Sequence, residues 1–172
     1  NYATSDILRD GRTLHIRSIR ADDKQLLQES WQALSKQSQY FRFFTPKDEL
    51  TEGDLVYFTE IDLVNHVGLG ASIFSDDAEV PVGVGRYISS DVGSNASAEI
   101  AFVVGERYQG LGIATILLRH LVLIARAQAI TEFTALVLPE NTRMQSVLRK
   151  SGLPMKQDIN SAGVLEITLS LT

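Results

Sequence analysis

A short glycine turn between an apolar strand and a long helix is the part of this sequence that could bind an anion. Residues 100–104 form an apolar, strand-like run, and Gln109-Gly110-Leu111-Gly112-Ile113-Ala114 then opens an amphipathic helix. Glycine lets a backbone approach a ligand closely, and the first N–H groups of a helix lack partners within the helix, so they can bind phosphate oxygens. The spacing therefore predicts a pyrophosphate site at residues 109–114.

Other interpretations of this turn compete with a pyrophosphate site. A dinucleotide-binding fingerprint would need a glycine or alanine where the chain has Thr115, and a βαβ unit that the preceding sequence does not supply. A P-loop would need a Gly-Lys-Ser/Thr sequence, and none follows the glycines. A plain helix start, which uses glycines only for a tight turn, stays open as the alternative.

The elements that must position this turn follow from the spacing of apolar residues. Alternation with period two predicts strands, and recurrence with period 3.6 predicts helices. The predicted strands are 12–19, 64–74, 80–88, 98–104, 133–138 and 165–171, and the predicted helices are 24–34, 35–44, a segment after the cap at 51–54, 111–126 and 142–150. A polar loop is predicted at 89–97. This order predicts an α/β (α+β) fold in one domain, 1–172, with 1–11 as a flexible N-terminal segment.

Composition limits the kinds of partner. The 172 residues carry a formal net charge of −5 and no local basic stripe, so nucleic acid is not an expected partner. The absence of cysteine and the presence of only three histidines argue against a metal site. The longest apolar run, 113–125, is shorter than the roughly 20 residues of a membrane span, and the start lacks a secretory signal. We therefore expect a cytoplasmic protein with neither a metal nor a membrane partner.

Three sequence motifs, in order along the chain, resemble the GNAT family of acetyltransferases. Gln109-x-x-Gly112-x-Ala114 matches the family signature Q/R-x-x-G-x-G/A, and the upstream run 98–104 resembles the family's fourth strand. The downstream run 135–153, with Asn141 inside it, resembles the fifth strand and the closing helix. The resemblance implies a single GNAT domain with a mixed, mostly antiparallel sheet of about seven strands, flanked by helices, whose fourth and fifth strands splay apart.

A narrower resemblance extends over nearly the whole chain. The segments 17–23, 42–44, 58–62, 82–87 and 98–104 are similar to the acetyltransferase domain of bacterial Pat-type protein lysine acetyltransferases. The resemblance implies an N-acetyltransferase that moves an acetyl group from acetyl-CoA, without a metal, to a primary amine such as a protein lysine side chain. Such domains are often fused to a regulatory or acyl-CoA-synthetase-like domain, so we expect either a free-standing relative or a fragment.

Acetyl transfer to an amine needs a base, since a lysine ammonium has a reference pKa of about 10.4 and only roughly one molecule in a thousand is neutral near pH 7. Glu99 is the candidate: it is the lone carboxylate on an apolar strand before the glycine turn, and partial burial is expected to raise its pKa. The resemblance points to the same strand, because several GNAT enzymes carry their catalytic glutamate there. A solvent-facing strand residue is the competing interpretation, and Glu60, Asp62 and Glu140 are weaker candidates for the base.

The resemblance also implies the contacts with acetyl-CoA. The backbone of Phe102, Val103 and Val104 would bind the pantetheine arm, with the Val104 N–H facing the thioester oxygen. Asn141 matches the family asparagine that contacts pantetheine or holds the splayed strand, although an N-cap of helix 142–150 explains it equally well. The pyrophosphate would lie on Gln109, Gly110, Leu111, Gly112, Ile113 and Ala114.

Two positions depart from the family pattern. Many relatives carry Arg or Lys where this chain has Leu111, and Arg107 or Arg149 is expected to compensate. Many also carry a tyrosine that protonates the leaving thiolate, where this chain has Leu148, but a thiolate of reference pKa about 8.5 can leave without it. These departures leave open a non-catalytic acyl-CoA sensor, besides an acetyltransferase for small amines. Homo-oligomer formation also stays open.

Overall fold

The computed structural model describes residues 2–43, 49–89 and 96–172, without the side chain of Phe43. Within these ranges eight strands form one sheet: β1 Ala3–Ile7, β2 Thr13–Ser18, β3 His66–Ser75, β4 Ala78–Ser89, β5 Ser97–Val104, β6 Glu132–Val137, β7 Met155–Ile159 and β8 Leu165–Ser170. The helices that flank the sheet are α1 Lys24–Gln32, α2 Lys36–Phe43, α3 Glu52–Thr59, α4 Ile113–Ala127 and α5 Thr142–Arg149.

The sheet is mostly antiparallel, in the strand order β1-β2-β3-β4-β5-β6-β8-β7. Among the strand pairs of the described residues, β5 and β6 run parallel and the others run antiparallel. A parallel pair cannot be joined by a tight hairpin and needs a crossover connection, which α4 supplies. The sequence between β5 and β6 therefore has to cross one face of the sheet.

α4 covers that face with apolar side chains and packs on β3, β4 and β5. Its Leu117 is fully buried, and the approach to β4 is close at Gly85, where a Cβ would lie 2.9 Å from the Phe102 ring and 3.2 Å from the Leu117 Cβ. Because side chains alternate along a strand, the even-numbered residues of β5 face α4. The odd-numbered residues, Glu99 among them, face the side on which α1, α2 and α3 lie.

β5 and β6 separate part-way along their length. Their register ends at Glu99–Thr134 after three residue pairs, and no further pair follows among the described residues. β5 then continues to Val104 paired with β4 alone, and β6 continues paired with β8 alone. The splay that was predicted for the fourth and fifth strands is present between β5 and β6, which are numbered one higher because β1 precedes the strands predicted from sequence.

Two strands were not predicted, and both depend on partners that are distant in sequence. Residues 3–7 form the edge strand β1, so the prediction that 1–11 is flexible is wrong for them, and β7 was also missed. β1 has no apolar alternation, but it pairs with β2, and its Asp6 lies 2.6 Å from Arg119 of α4. The predicted loop 89–97 and helix 35–44 fall partly outside the described residues, at 90–95 and at Phe44.

An ion pair holds the start of α1 on the sheet. Arg17 of β2 donates to both carboxylate oxygens of Asp23, at 2.8 and 2.9 Å, and lies 3.2 Å from Glu79 of β4. Asp23 also accepts the Arg20 N–H at 2.7 Å. Burial by itself raises the pKa of Asp23, but the bonds from Arg17 and Arg20 outweigh burial and hold this pKa below its ordinary value of 3.8.

Asp23→Asn should lower the free energy of unfolding at pH 7 by about 1.5–3 kcal/mol, the range for hydrogen bonds to a charged group. Because the pKa of Asp23 is lower in the folded state than in the unfolded state, its contribution is present above the unfolded pKa and disappears as the pH falls through the folded pKa. Thermal unfolding of both proteins at pH 7 and at acidic pH measures the difference. Asp22→Asn, at an exposed aspartate 3.3 Å from Arg20, is the matched control, and equal losses in both variants would contradict the role of Asp23.

Candidate functional site

A cleft of about 450 Å³ opens where β5 and β6 separate. It brings together the end of β5, the glycine turn and the start of α5. The predicted cofactor contacts that line it are Phe102, Val103, Val104, Gln109, Gly110, Gly112, Ile113, Ala114 and Asn141. Leu111 and Glu99 are not among its lining residues. Most of the residues chosen from sequence motifs thus meet in one place.

The glycine turn leaves the N-terminus of α4 uncapped. Gly110 and Gly112 have φ angles of +82° and +91°, in the left-handed region that favours glycine. Gly112 is the N-cap residue, and no side chain of the described residues caps the helix there, whereas Thr51 caps α3 and Asn141 caps α5. An uncapped helix end that borders a cleft has backbone N–H groups available for an anion.

Backbone groups of β5 point into the cleft at alternate residues. The Gly105 N–H donates to the Val82 carbonyl at 3.0 Å, so these two residues form a hydrogen-bonded pair between β4 and β5. Hydrogen-bonded and non-hydrogen-bonded pairs alternate in an antiparallel ladder, which directs the N–H and C=O groups of Val104 and Phe102 away from β4. The Gln109 side chain agrees with this direction, because its Nε2 donates to the Val104 carbonyl at 3.3 Å.

Asn141 caps α5 and lines the cleft at the same time. Its Oδ1 accepts the Met144 N–H at 3.3 Å, which is N-cap geometry. The capping interpretation of this residue is therefore observed. A contact between Asn141 and the pantetheine arm remains a prediction, for which its place in the cleft is suitable.

The cations beside the cleft differ from those suggested by the sequence. Leu111 is half-buried and packs on the apolar core, so it is directed away from the cleft. Arg107 and Arg149 are exposed and do not line the cleft, so the compensation expected from them is not found. The basic residues that do line it are Arg9, Arg42, Arg143 and Lys150.

Glu99 lies where β5 and β6 stop pairing. It is the last residue of β5 in register with β6, opposite Thr134. Its side chain is exposed, so the expected partial burial is wrong, because this position turns Glu99 away from the face that α4 covers. Arg42 of α2 lies near enough for its charge to interact with that of Glu99.

The other candidates for the base have different surroundings. Glu60 lies 2.8 Å from the Lys24 ammonium. Asp62 accepts hydrogen bonds from three backbone N–H groups within 2.9 Å, those of Val64, Asn65 and His66. These bonds hold the pKa of Asp62 below its ordinary value, and the bond from His66 has the largest effect. Glu140 lines the cleft near α5. Asp62 is therefore held in a structural turn and is poorly suited to accept a proton.

A second cavity, of about 460 Å³, lies between α1, α3 and the strands β4 and β5. Its lining is mainly apolar and includes Trp31 and Phe58, which the sequence suggests as core or groove residues. The residues that it shares with the cleft are Arg42, Phe102, Val103, Glu106 and Tyr108. The two cavities therefore adjoin each other along β5.

Arg86 of β4 lines the second cavity and was missed at the sequence level. It is 4% exposed, its Nη1 donates to the Phe58 carbonyl at 3.1 Å, and its guanidinium lies 4.6 Å from the centre of the Phe58 ring. The same Nη1 lies 2.9 Å from Nε2 of His66. Burial and the nearby charge of Arg42 lower the pKa of Arg86 to about 9. Burial and the nearby charge of Arg86 lower the pKa of His66 to about 4. His66 is thus neutral at pH 7 and Arg86 is charged.

Among the residues that the structure describes, no group of three or more His, Asp or Glu side chains is placed to hold a metal ion. None of the helices among those residues combines the length and the apolar character that crossing a membrane requires.

Comparison with known proteins identifies the family. Residues 13–154 match the family model described as acetyltransferase (GNAT) domain. The chain is 34% identical to the GNAT domain of PAT from S. lividans, with a TM-score of 0.88, over 98% of this chain and 96% of that one. It is 26% identical to an acetyltransferase of Pseudomonas aeruginosa, over 88% of this chain and 80% of that protein. It is also 29% identical to the acetyltransferase Pat of Mycolicibacterium smegmatis, over 84% of this chain but only 42% of that protein.

The chain therefore belongs to the GNAT acetyltransferase family, as its motifs predict. The predicted single-sheet α/β fold is confirmed, with eight strands among the described residues in place of about seven. By class, the protein is an acetyl-CoA-dependent N-acetyltransferase.

Gly112→Val is expected to weaken acetyl-CoA binding about tenfold or more, because valine strains the left-handed backbone and its side chain projects beside the helix N-terminus. Gly163→Val is the matched control: Gly163 also has a left-handed φ, of +78°, but lies in the turn between β7 and β8 with nothing within 4 Å of its Cβ position. Calorimetric titration measures affinity in both variants. Unchanged affinity in a folded Gly112→Val protein would show that the pyrophosphate binds elsewhere.

Proposed function

We propose that this chain acetylates lysine side chains of proteins, by direct attack of the lysine amine on acetyl-CoA with Glu99 as the general base. The observation that carries the proposal is the opening between β5 and β6. Backbone groups of β5 that β6 leaves unpaired and the uncapped start of α4 border it, and Glu99 is the β5 residue at which the pairing with β6 ends. These are the groups that a thioester donor with a charged pyrophosphate and an amine acceptor would need.

The opening suggests how acetyl-CoA would lie. The pyrophosphate binds backbone N–H groups of the glycine turn, and the pantetheine arm runs along β5 toward Glu99, with its amides on the free backbone groups. A strand rises about 3.3 Å per residue, so Phe102 lies about 10 Å and Val104 about 17 Å from Glu99 along β5. Since the base must act near the reacting carbonyl, the Phe102 N–H is favoured over the Val104 N–H as the donor to the thioester oxygen. Val104 then binds the arm.

The exposure of Glu99 suggests a proton path through water. The neutral lysine amine attacks the thioester carbon, and the proton lost from nitrogen passes through a water molecule to the Glu99 carboxylate. The tetrahedral intermediate collapses as the carbon–sulfur bond breaks and the CoA thiolate leaves. Leu148 is fully buried in the core and supplies no acid. A thiol with a reference pKa of about 8.5 leaves as the thiolate without prior protonation.

The charges around β5 favour a protein lysine over a small cationic amine as acceptor. A small amine would need a pocket beside the acetyl group, and the second cavity, which adjoins the cleft along β5, has the buried, charged Arg86 in its wall. A guanidinium in a site of low dielectric repels an ammonium group. Glu99, in contrast, is exposed, so a lysine on the surface of another protein can approach it from solvent. The resemblance of segments 17–23, 42–44, 58–62, 82–87 and 98–104 to Pat-type protein lysine acetyltransferases implies the same acceptor class.

Glu99→Gln should leave acetyl-CoA affinity nearly intact while lowering turnover by roughly 10² to 10⁴, the usual worth of a general base. The rate should recover at high pH, because more of the acceptor amine is then neutral and needs no base. Steady-state rates from neutral to alkaline pH, at saturating acetyl-CoA, measure both effects. Glu166→Gln, at another exposed strand glutamate on β8, is the matched control. Wild-type turnover by Glu99→Gln at neutral pH would exclude Glu99 as the base.

The acceptor class is tested by competition between amines. At equal amine concentration and fixed acetyl-CoA, we expect lysine in folded proteins and lysine peptides to be acetylated with kcat/KM at least about tenfold above free lysine and polyamines, a difference of about 1.4 kcal/mol in transition-state binding. Mass spectrometry of the products gives the ratio. Preferential acetylation of a small amine would replace the protein substrate by the small-amine alternative. Binding of acetyl-CoA without turnover of any amine would favour a sensor.

A further inference from the structure

The turn between β1 and β2 brings an arginine to the predicted pyrophosphate site. Arg9 donates from Nη1 to the Gly110 carbonyl at 3.1 Å, and its backbone N–H donates to the Leu111 carbonyl at 3.4 Å. Its Nε lies 3.6 Å from the position that a Cβ on Gly112 would occupy. Arg9 thus contacts the three central residues of the glycine turn and lines the cleft beside them.

The position of Arg9 is held by contacts on both sides of it. Leu8 is 3% exposed and belongs to the apolar core. On β1, Asp6 pairs with Arg119 of α4 at 2.6 Å, and the Tyr2 hydroxyl is hydrogen-bonded to Nδ1 of His120 in the same helix. The hairpin that carries Arg9 is therefore attached to the helix whose N-terminus would bind the phosphates.

The carboxylates of this hairpin are already engaged with other cations. Asp10 pairs with Arg12 at 2.7 Å, and Asp6 pairs with Arg119. Arg9 uses one of its guanidinium N–H groups on Gly110 and is otherwise exposed, so further donors can reach a ligand in the cleft. An arginine so placed suits a diphosphate, which its guanidinium can bind through two parallel hydrogen bonds.

We propose that Arg9 binds the pyrophosphate of acetyl-CoA and supplies the positive charge that Leu111 does not. The proposal rests on the proposed function, since it assumes that acetyl-CoA occupies the cleft. Arg9 precedes residues 13–154, the part of the chain that matches the family model, so this cation reaches the shared glycine turn from outside the matched region. Arg143 and Lys150 of the α5 region also line the cleft, and their charges suit the separate 3′-phosphate of CoA.

The test compares Arg9→Gln with three ligands that differ in their phosphates. CoA has the pyrophosphate and the 3′-phosphate, dephospho-CoA keeps only the pyrophosphate, and pantetheine has neither. Arg9→Gln should bind CoA and dephospho-CoA about 10- to 100-fold more weakly than the wild type does, the range for losing hydrogen bonds to a charged group. Its affinity for pantetheine should not change. Calorimetry measures the first two ligands, and ligand-observed NMR measures the weakly bound pantetheine.

Two further variants complete the experiment. Arg149→Gln, at an exposed arginine that lines neither cavity, should bind all three ligands as the wild type does. Arg9→Lys should recover part of the lost affinity, since it keeps the charge but not the two-pronged geometry. Arg9→Lys also serves in place of Arg9→Gln if the glutamine variant does not fold, with a smaller loss of affinity in the same ligand pattern.

Each outcome decides between assignments. A loss for CoA that disappears with dephospho-CoA would assign Arg9 to the 3′-phosphate and overturn the proposal. Weakened pantetheine binding would reduce Arg9 to a residue that shapes the turn, and unchanged affinity for all ligands would exclude any role in binding. Failure of the wild-type protein itself to bind CoA would overturn the proposed function and not only the role of Arg9.

Discussion

The early end of the pairing between β5 and β6 is the constraint on which the rest of the site depends. Backbone N–H and C=O groups in a folded protein need partners, yet beyond Glu99 and Thr134 the facing edges of these strands have none in each other. Full pairing would satisfy those groups and would also close the cleft. In the proposed complex the amides of the pantetheine arm bind these groups, so the cofactor takes the place of the missing part of a strand pair.

The crossover between the two strands explains why the anion site borders this opening. α4 must bury its apolar stripe on the sheet, and only the short segment that contains the glycine turn separates its start from the end of β5. Its first turn therefore lies at the mouth of the cleft, where the left-handed Gly110 and Gly112 allow a sharp entry into the helix and leave its N–H groups uncapped. The hairpin that carries Arg9 and the helix that Asn141 caps then close the site from other parts of the chain.

Charge is distributed unequally over the side of β4 and β5 that borders the second cavity. Arg86 is buried on the side of the second cavity and remains charged at pH 7, with a neutral His66 beside it. Burial lowers the pKa of Arg42, which borders both cavities, while the charge of Glu99 opposes this effect. The exposed carboxylate of Glu99 and the buried guanidinium of Arg86 thus lie on the same side of the sheet. An ammonium group is attracted at the solvent-accessible Glu99 and repelled in the buried surroundings of Arg86.

The sequence by itself determined the features that depend on a few neighbouring residues. Apolar periodicity located six of the eight strands that the described residues form, together with the succession of helices. The glycine turn and Asn141 were recognised as helix starts. Tertiary structure alone decided β1, the exposure of Glu99 and the identity of the cation near the glycine turn. β1 has no apolar pattern and is ordered by β2 and α4, and Glu99 is exposed because α4 covers the other face of β5. Arg9 contacts Gly110 across about a hundred residues of sequence, a pairing that local patterns do not encode because packing of the hairpin on α4 creates it.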